Sequence, residues 1–466
     1  MRRFALLLGV MLAVGIAGSA QAVDFQVHGD LNNRFMTYTN QGGMFSASET
    51  VLGTPIVKDG IDESWGEVKY RLWVEASTND GKVKGVYAIE LGSTRFGFDL
   101  AGPPASTGKN AGGAFSGDGV NIETRWAYTD FQLPGVASKA RFMIGLIPFT
   151  VNSFVWDETV MGVQFKGSTE PLDYTLAWVR GRENFNSSTD DKLFEDLDAL
   201  LARVDIKPTK DSKAALFALY QRRNPGDNGR VAFASATQYQ IKRLANVDFD
   251  IYTLGTDGSW TIPTGIGNAF INWDLVYQGG TLDDNTAISR DISAYLAHAD
   301  VGVNFGNARL TYTVWYASGD DNSSDDKIKN FMSTDVDRFD SIVFMEGGYT
   351  DDNYFTEAPH ILDKGLFFNK LALDYKASDK LKLGAAVLYL QTAKDLTIGA
   401  GKKDKSLGTE IDAYLSYMLY ADTEFAINAG YLVAGDGMDA FETSSQRNGE
   451  SDANIFLSTA RLRYKF

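Results

Sequence analysis

The feature that most constrains this chain is an alternation of apolar and polar residues with a period of two, repeated from Val23 almost to the last residue. At the start, Val23, Phe25, Val27, Gly29 and Leu31 alternate with Asp24, Gln26, His28, Asp30 and Asn32. Successive residues of a strand point to opposite faces, so each such run presents one apolar and one polar face. Around 66–76, Val68, Tyr70, Leu72 and Val74 alternate with Glu67, Lys69, Arg71, Trp73 and Glu75. About eighteen runs can be counted, starting near residues 23, 65, 82, 120, 138, 159, 171, 198, 212, 246, 267, 292, 308, 366, 380, 408, 423 and 453. The connections alternate as well. Short ones such as Thr78-Asn79-Asp80-Gly81, Gly306-Asn307 and Ala421-Asp422 are built of turn formers, and long ones fill 40–64, 92–119, 182–197, 222–245, 318–365, 392–407 and 435–452.

A soluble β-sandwich would pack bulky aliphatics on its apolar faces. Here those faces mix small residues with tyrosines, and aromatics collect near strand ends. Phe25, Tyr128, Phe142, Tyr174, Phe305, Tyr375 and Phe425 fall near the short turns; Phe35, Trp178, Tyr277, Tyr316, Tyr389 and Tyr431 fall near the long loops. Two aromatic girdles, short turns on one rim and long loops on the other are the anatomy of a membrane barrel. The expected fold is all-β: a transmembrane antiparallel β-barrel of about 18 strands, with short periplasmic turns and long extracellular loops. Sixteen strands is the nearest alternative, because the runs at 159 and 198 are the least regular.

Composition narrows the chemistry. The 466 residues carry 44 Lys+Arg against 60 Asp+Glu, a formal net charge of -16, which disfavours a nucleic-acid partner. Without cysteine there is no disulfide, thiol nucleophile or Cys-ligated metal. The three histidines, His28, His298 and His360, are too scattered to suggest a catalytic triad, so no enzyme is expected. Gly102–Asn110 imitates a phosphate loop, but it has the wrong glycine spacing and Asn110 in place of Ser/Thr.

Residues 1–22 read as a cleaved signal peptide: Arg2 and Arg3, an apolar stretch from Phe4 to Val14, and Ala20-Gln21-Ala22. Residues 23–466 would then form one barrel domain. Its last strand, Ala460-Arg461-Leu462-Arg463-Tyr464-Lys465-Phe466, puts Ala460, Leu462, Tyr464 and Phe466 on one face. That strand resembles the terminal assembly signal of bacterial outer-membrane proteins, with Tyr464 and Phe466 as its aromatic elements. With the signal peptide and the alternation, the chain resembles a Gram-negative porin and, more narrowly, is similar to the large porins of Desulfovibrio-type sulfate-reducing bacteria. The resemblance implies a bacterial outer-membrane location, a homotrimer, a third loop folded inward, contact with outer-membrane lipid and lipopolysaccharide, and delivery by the barrel-assembly machinery.

The lumen of a barrel this wide is filled with water, so something must narrow it. The segment 146–158, the third long-side connection, is unusually apolar for an exposed loop and is the candidate constriction loop, with Phe149, Phe154 and Trp156, and with Asp157 and Glu158 as its charges. Inward basic residues of the early strands, Lys69, Arg71, Lys82, Lys84, Arg125, Lys139 and Arg141, would form a positive wall, facing the loop or paired along the wall with Glu67, Glu75, Glu90 and Glu123. Inward aromatics suited to a sugar path (Trp65, Trp73, Phe217, Tyr252, Phe270, Trp315 and Tyr414) are scattered. The stretch 318–365 holds twelve acidic residues, among them Asp320, Asp321, Asp325, Asp326, Asp335, Asp337, Asp340, Asp351 and Asp352. They suit a solvated loop, or one collecting Ca²⁺ or Mg²⁺, although the spacing is not that of an EF-hand. No other cofactor is expected. The expected function is passive diffusion of small hydrophilic solutes and ions; the alternatives are a sugar- or anion-specific channel and a structural barrel without transport.

Overall fold

The computed structural model describes residues 23–40, 62–97, 120, 122–135, 139–183, 196–224, 240–244, 247–283, 289–322, 325–345, 358–398, 401–441 and 454–466. The first half of the chain contributes β1 (Val23–Thr39), β2 (Glu63–Thr78), β3 (Val83–Arg95), β4 (Ile122–Gln132), β5 (Arg141–Asn152), β6 (Trp156–Thr169), β7 (Leu172–Arg182), β8 (Leu197–Thr209) and β9 (Ser212–Arg223). The second half contributes β10 (Asp248–Thr264), β11 (Gly267–Asp283), β12 (Ser289–Phe305), β13 (Ala308–Ala317), the two-residue β14 (Lys327–Ile328), β15 (Leu366–Lys376), β16 (Leu381–Thr397), β17 (Lys403–Tyr420), β18 (Thr423–Ala434) and β19 (Ile455–Lys465).

Leaving out β14, each of 18 strands is antiparallel to both neighbours, and β1 closes the ring by pairing with β2 and β19. The closed count is 18 rather than 16, because the irregular runs at 159 and 198 are full wall strands, β6 and β8. β14 belongs to the long β13–β15 insertion and lies parallel to Asp291 and Ile292 of β12. One rim is made of tight turns. Five connections there are only two residues long, at 170–171, 210–211, 265–266, 306–307 and 421–422. In the turn after β2, Gly81 at φ 65 donates its N–H to Thr78 O at 2.7 Å, a left-handed conformation that glycine supplies without strain.

The seam is sealed at the same rim. Gly29 N donates to Phe466 O at 2.9 Å, and Phe466 N returns to Gly29 O at 3.1 Å. The Phe466 ring lies where a Cβ on residue 29 would be, so the absent side chain of Gly29 is what seats it. Tyr464 packs beside it, with ring centroids 5.2 Å apart.

Register assigns each residue to a face. Leu371, Val387, Ile411 and Ile427 are exposed on the outer wall, while Leu388, Glu410, Asp412 and Asn428 of the same strands are buried on the inner one. The girdle residues face outward as expected, except Tyr128. It pairs with Val86 and Gly145 on the lumen side, because a bulge between Ala88 and Ile89 shifts the parity of β4. Tyr252, expected inward, is exposed on the outer wall opposite Gly279. No helix among the described residues is long and apolar enough to cross a membrane; the strands do so instead, each paired with a neighbour on both sides around the ring. Ile411→Arg on the outer wall is expected to lower the unfolding free energy in lipid vesicles by about 2–4 kcal/mol, and Ser416→Arg on the inner wall by much less. Equal losses at the two sites would contradict the face assignment.

Candidate functional site

The segment 146–158 is a regular hairpin rather than an irregular loop. β5 and β6 stay paired up to Thr150 and Asp157, and only 153–155 turn. The β-branched and aromatic residues Phe149, Val151 and Trp156 favour extended backbone. What makes the hairpin unusual is where its wall pairing stops. β4 pairs with β5 only as far as Leu146, and β6 pairs with β7 only from Met161 onward, so the part above stands free of both neighbours. Its tip meets the far wall. Phe154, fully buried, lies 4.9 Å from His298 of β12 and 5.6 Å from Trp315 of β13. Six wall strands separate β5 from β12 by the shorter way round, so the contact passes through the lumen.

A polar network fixes the hairpin from below. Asn152 Nδ2 donates to Asp274 at 2.6 Å and to Asp257 at 3.2 Å. Arg203 donates to Val151 O at 3.0 Å while held by Asp257 and Asp205. His298 bridges Asp274 at 2.6 Å and Asp300 at 3.3 Å.

The larger obstruction is the β13–β15 insertion, 318–365, expected to be a solvated acidic loop. Instead Phe331, Met332, Val336, Val343, Phe344 and Met345 are fully buried. The stretch 331–344 forms an arch through the lumen. On one side Gln278 of β11 clasps Met332, donating to its O at 2.7 Å and accepting from its N at 2.9 Å. In the middle, Thr334 N donates to Val155 O at the hairpin tip at 2.7 Å. Arg338 stacks 4.0 Å over Phe154 and pairs with Asp340 at 2.5 Å. At the far end Glu410 of β17 accepts Ser341 Oγ at 2.8 Å and Val343 N at 2.7 Å. The arch is buried because its apolar residues are interspersed among the acids, which themselves find partners: Asp335 with Lys242, Asp321 with Lys394, Asp325 with Lys329. Among the described residues no three acids or histidines are grouped to hold a metal; Asp351 and Asp352 lie outside those residues.

The arch is held by β9, β11, β15 and β17, meets Gly430 of β18 and packs in one buried cluster with Met36, Tyr38, Leu432 and Leu457, so the open space lies along the inner faces of β2–β5 toward the short-turn rim. Side chains there keep partial exposure: 28 % for Arg71, 26 % for Arg125, 32 % for Arg141. The seven basic residues expected to form one wall are divided. Lys69 (3.5 Å), Arg71 and Arg125 (2.8 Å) converge on the single carboxylate of Glu90. Lys84 pairs with Glu75 at 2.9 Å and Arg141 with Asp130 at 2.9 Å. Lys82 sits in the β2–β3 turn with Asp80, and Lys139 lies exposed just before β5, so both belong to the short-turn rim and not to the narrowing. Asp157 and Glu158 do not face this wall as partners. Asp157 accepts Thr150 Oγ1 at 2.6 Å, and Glu158 accepts Thr159 N at 2.8 Å. The acids opposite the basic hub are Asp205, Asp257, Asp274 and Asp300 on β8 and β10–β12.

One row toward the short-turn rim from the Glu90 hub lies an aromatic row. His28, Trp73, Ala88 and Trp126 are successive cross-strand partners on the inner face. His28 stacks on Trp73 at 5.1 Å, and Trp73 meets Trp126 edge-on at 6.0 Å over the small Ala88. Arg125 lies 5.5 Å over Trp126. Trp73 and His28 are legible as inward residues in the sequence but the row is not, because the bulge in β4 hides the inward parity of Trp126.

No family model matches the chain, and no curated protein matches it. Among solved structures it is similar to the outer membrane protein OpdK from Pseudomonas aeruginosa, at 10 % identity over 95 % of this chain and 98 % of that one, with a TM-score of 0.52. It is also similar to OccK5 (OpdH) from Pseudomonas aeruginosa, at 11 % identity over 95 % and 98 %, with a TM-score of 0.52. A BenF-like porin from Pseudomonas fluorescens Pf-5 aligns at 12 % identity over 95 % and 98 %, with a TM-score of 0.55. The fold is therefore that of the 18-strand bacterial outer-membrane porins.

Proposed function

We propose that this chain is a passive outer-membrane channel whose open side favours small organic anions, planar ones most. The observation that carries this reading is the Glu90 hub, where three cations share one carboxylate beside the Trp73–Trp126 row. A solute carboxylate there gains charge-assisted donors, and a flat ring gains an aromatic face. The acids on β8 and β10–β12 supply the opposite pole of a field across the opening. The fold of the similar structures supports a channel, and one structure of OpdK holds vanillate. A general diffusion pore is the coarser form of the same proposal. The outer-membrane location, the cleaved signal 1–22, the homotrimer, the surrounding lipid and lipopolysaccharide, assembly through Tyr464 and Phe466, and closer kinship with Desulfovibrio-type porins complete it.

In this reading the hairpin and the arch form the sieve, and the arch responds to acid. His360, fully buried, keeps its proton on Nδ1 for Leu362 O at 3.3 Å and uses Nε2 to accept from Ser333 N of the arch at 3.3 Å. Burial pushes this imidazole down to about 4. A free imidazole titrates near 6.5, so the docked arch binds fewer protons than a released one. Its stability is whole above roughly pH 6.5 and falls as pH drops toward 4, by about 3 kcal/mol in all.

Two outcomes follow. In proteoliposome flux assays, Arg71→Gln with Arg125→Gln is expected to lower uptake of a small aromatic carboxylate on the order of tenfold, with little change for a neutral sugar of similar size. Equal losses for both solutes, or none, would sink the anion reading. Acidifying a planar bilayer from neutral pH to about pH 4 is expected to raise channel conductance and open-state noise reversibly; a flat response would show that His360 does not hold the arch.

A further inference from the structure

We propose that Glu410 is a positioning residue: from the inner wall of β17 its carboxylate holds residues 341–344 across the lumen and so sets the width of the opening. The inference rests on the channel reading above and adds to it the group that keeps the arch extended.

A carboxylate without exposure to water is costly unless donors surround it. Glu410 has none of its surface exposed, and its donors come from the arch: Ser341 Oγ at 2.8 Å, Val343 N at 2.7 Å and Phe344 N at 3.1 Å. The chain turns at Ser341, whose Oγ accepts from Phe344 N at 2.9 Å and Met345 N at 3.2 Å, so a run of backbone N–H groups points one way. Backbone N–H groups turned the same way suit an anion. Asp412, two residues along the same face, accepts Ile342 N at 3.2 Å, and Lys370 of β15 donates to Asp340 O at 2.6 Å.

Position singles out Glu410. Gln278 on β11 and Gln221 on β9 hold the start of the arch, while at its far end Glu410 takes three donors against one contact each from Asp412 and Lys370. Six wall strands separate β9 from β17, so losing the far attachment frees the end that spans the opening. Because Glu410 has no surface on the solute path, its removal acts through the arch and not through the charge a solute meets.

The chain has no cysteine, which gives a clean background for labelling. Val336→Cys, at a fully buried arch position, is expected to resist a membrane-impermeant maleimide when Glu410 is present. It should react at least roughly tenfold faster with Glu410→Ala, and at an intermediate rate with Glu410→Gln, which keeps one acceptor. In bilayers Glu410→Ala should raise conductance about twofold and admit larger solutes. Unchanged labelling in a folded, heat-modifiable Glu410→Ala barrel overturns the proposal whatever the conductance. Absence of conductance in the unmodified protein overturns the channel reading and leaves the labelling result to decide this one.

Discussion

Everything in this molecule depends on one constraint: hydrocarbon offers no partner to a backbone N–H or C=O. A chain with no long apolar helix can enter a membrane only by pairing every strand on both sides. The ring of 18 strands, closed through β1 and β19, does this. Once it is closed, the period of two does the remaining sorting. One residue set meets lipid, and the other meets a lumen too wide for wall side chains to fill.

That lumen creates the second problem, and the chain answers it with two inward elements that lock together. The hairpin 147–160 leaves the wall because neither β4 nor β7 follows it, and its tip is received by His298 and Trp315. The arch then lies against that tip, with Arg338 between Phe154 and Trp315. Apolar packing gives the pair its bulk, while Gln278, Glu410 and His360 fix its position through polar contacts. The opening is left to one side, along the strands that carry Lys69, Arg71, Arg125 and the Trp73–Trp126 row.

The wall was almost wholly legible in the sequence, since a period-two pattern needs no tertiary information. All eighteen strand starts fall within five residues of the alternation that announced them. Parity failed at the β4 bulge that turns Tyr128 inward, and in β10, where apolar Phe249 and Ile251 face the lumen and Tyr252 the outside without any bulge. The lumen was less legible. The apolar character of 146–158 suits burial, but whether such a segment is loop or hairpin depends on pairing partners the sequence does not reveal. In 318–365 the acids masked a signal that was there: Ser341-Ile342-Val343-Phe344-Met345 is an apolar run too bulky for an exposed loop. The acids opposite the basic hub were missed because they sit on distant strands, brought round only by closure.

The most direct test of the account is recording from the purified full chain in a planar bilayer under a tenfold salt gradient. A narrowed channel with an anion-favouring wall predicts small, discrete steps, a reversal potential on the anion side, and block by a small aromatic carboxylate at concentrations where a sugar has no effect. Large ohmic steps without ion preference would contradict both the arch and the basic hub, and folded, inserted protein that carries no current would contradict the channel itself.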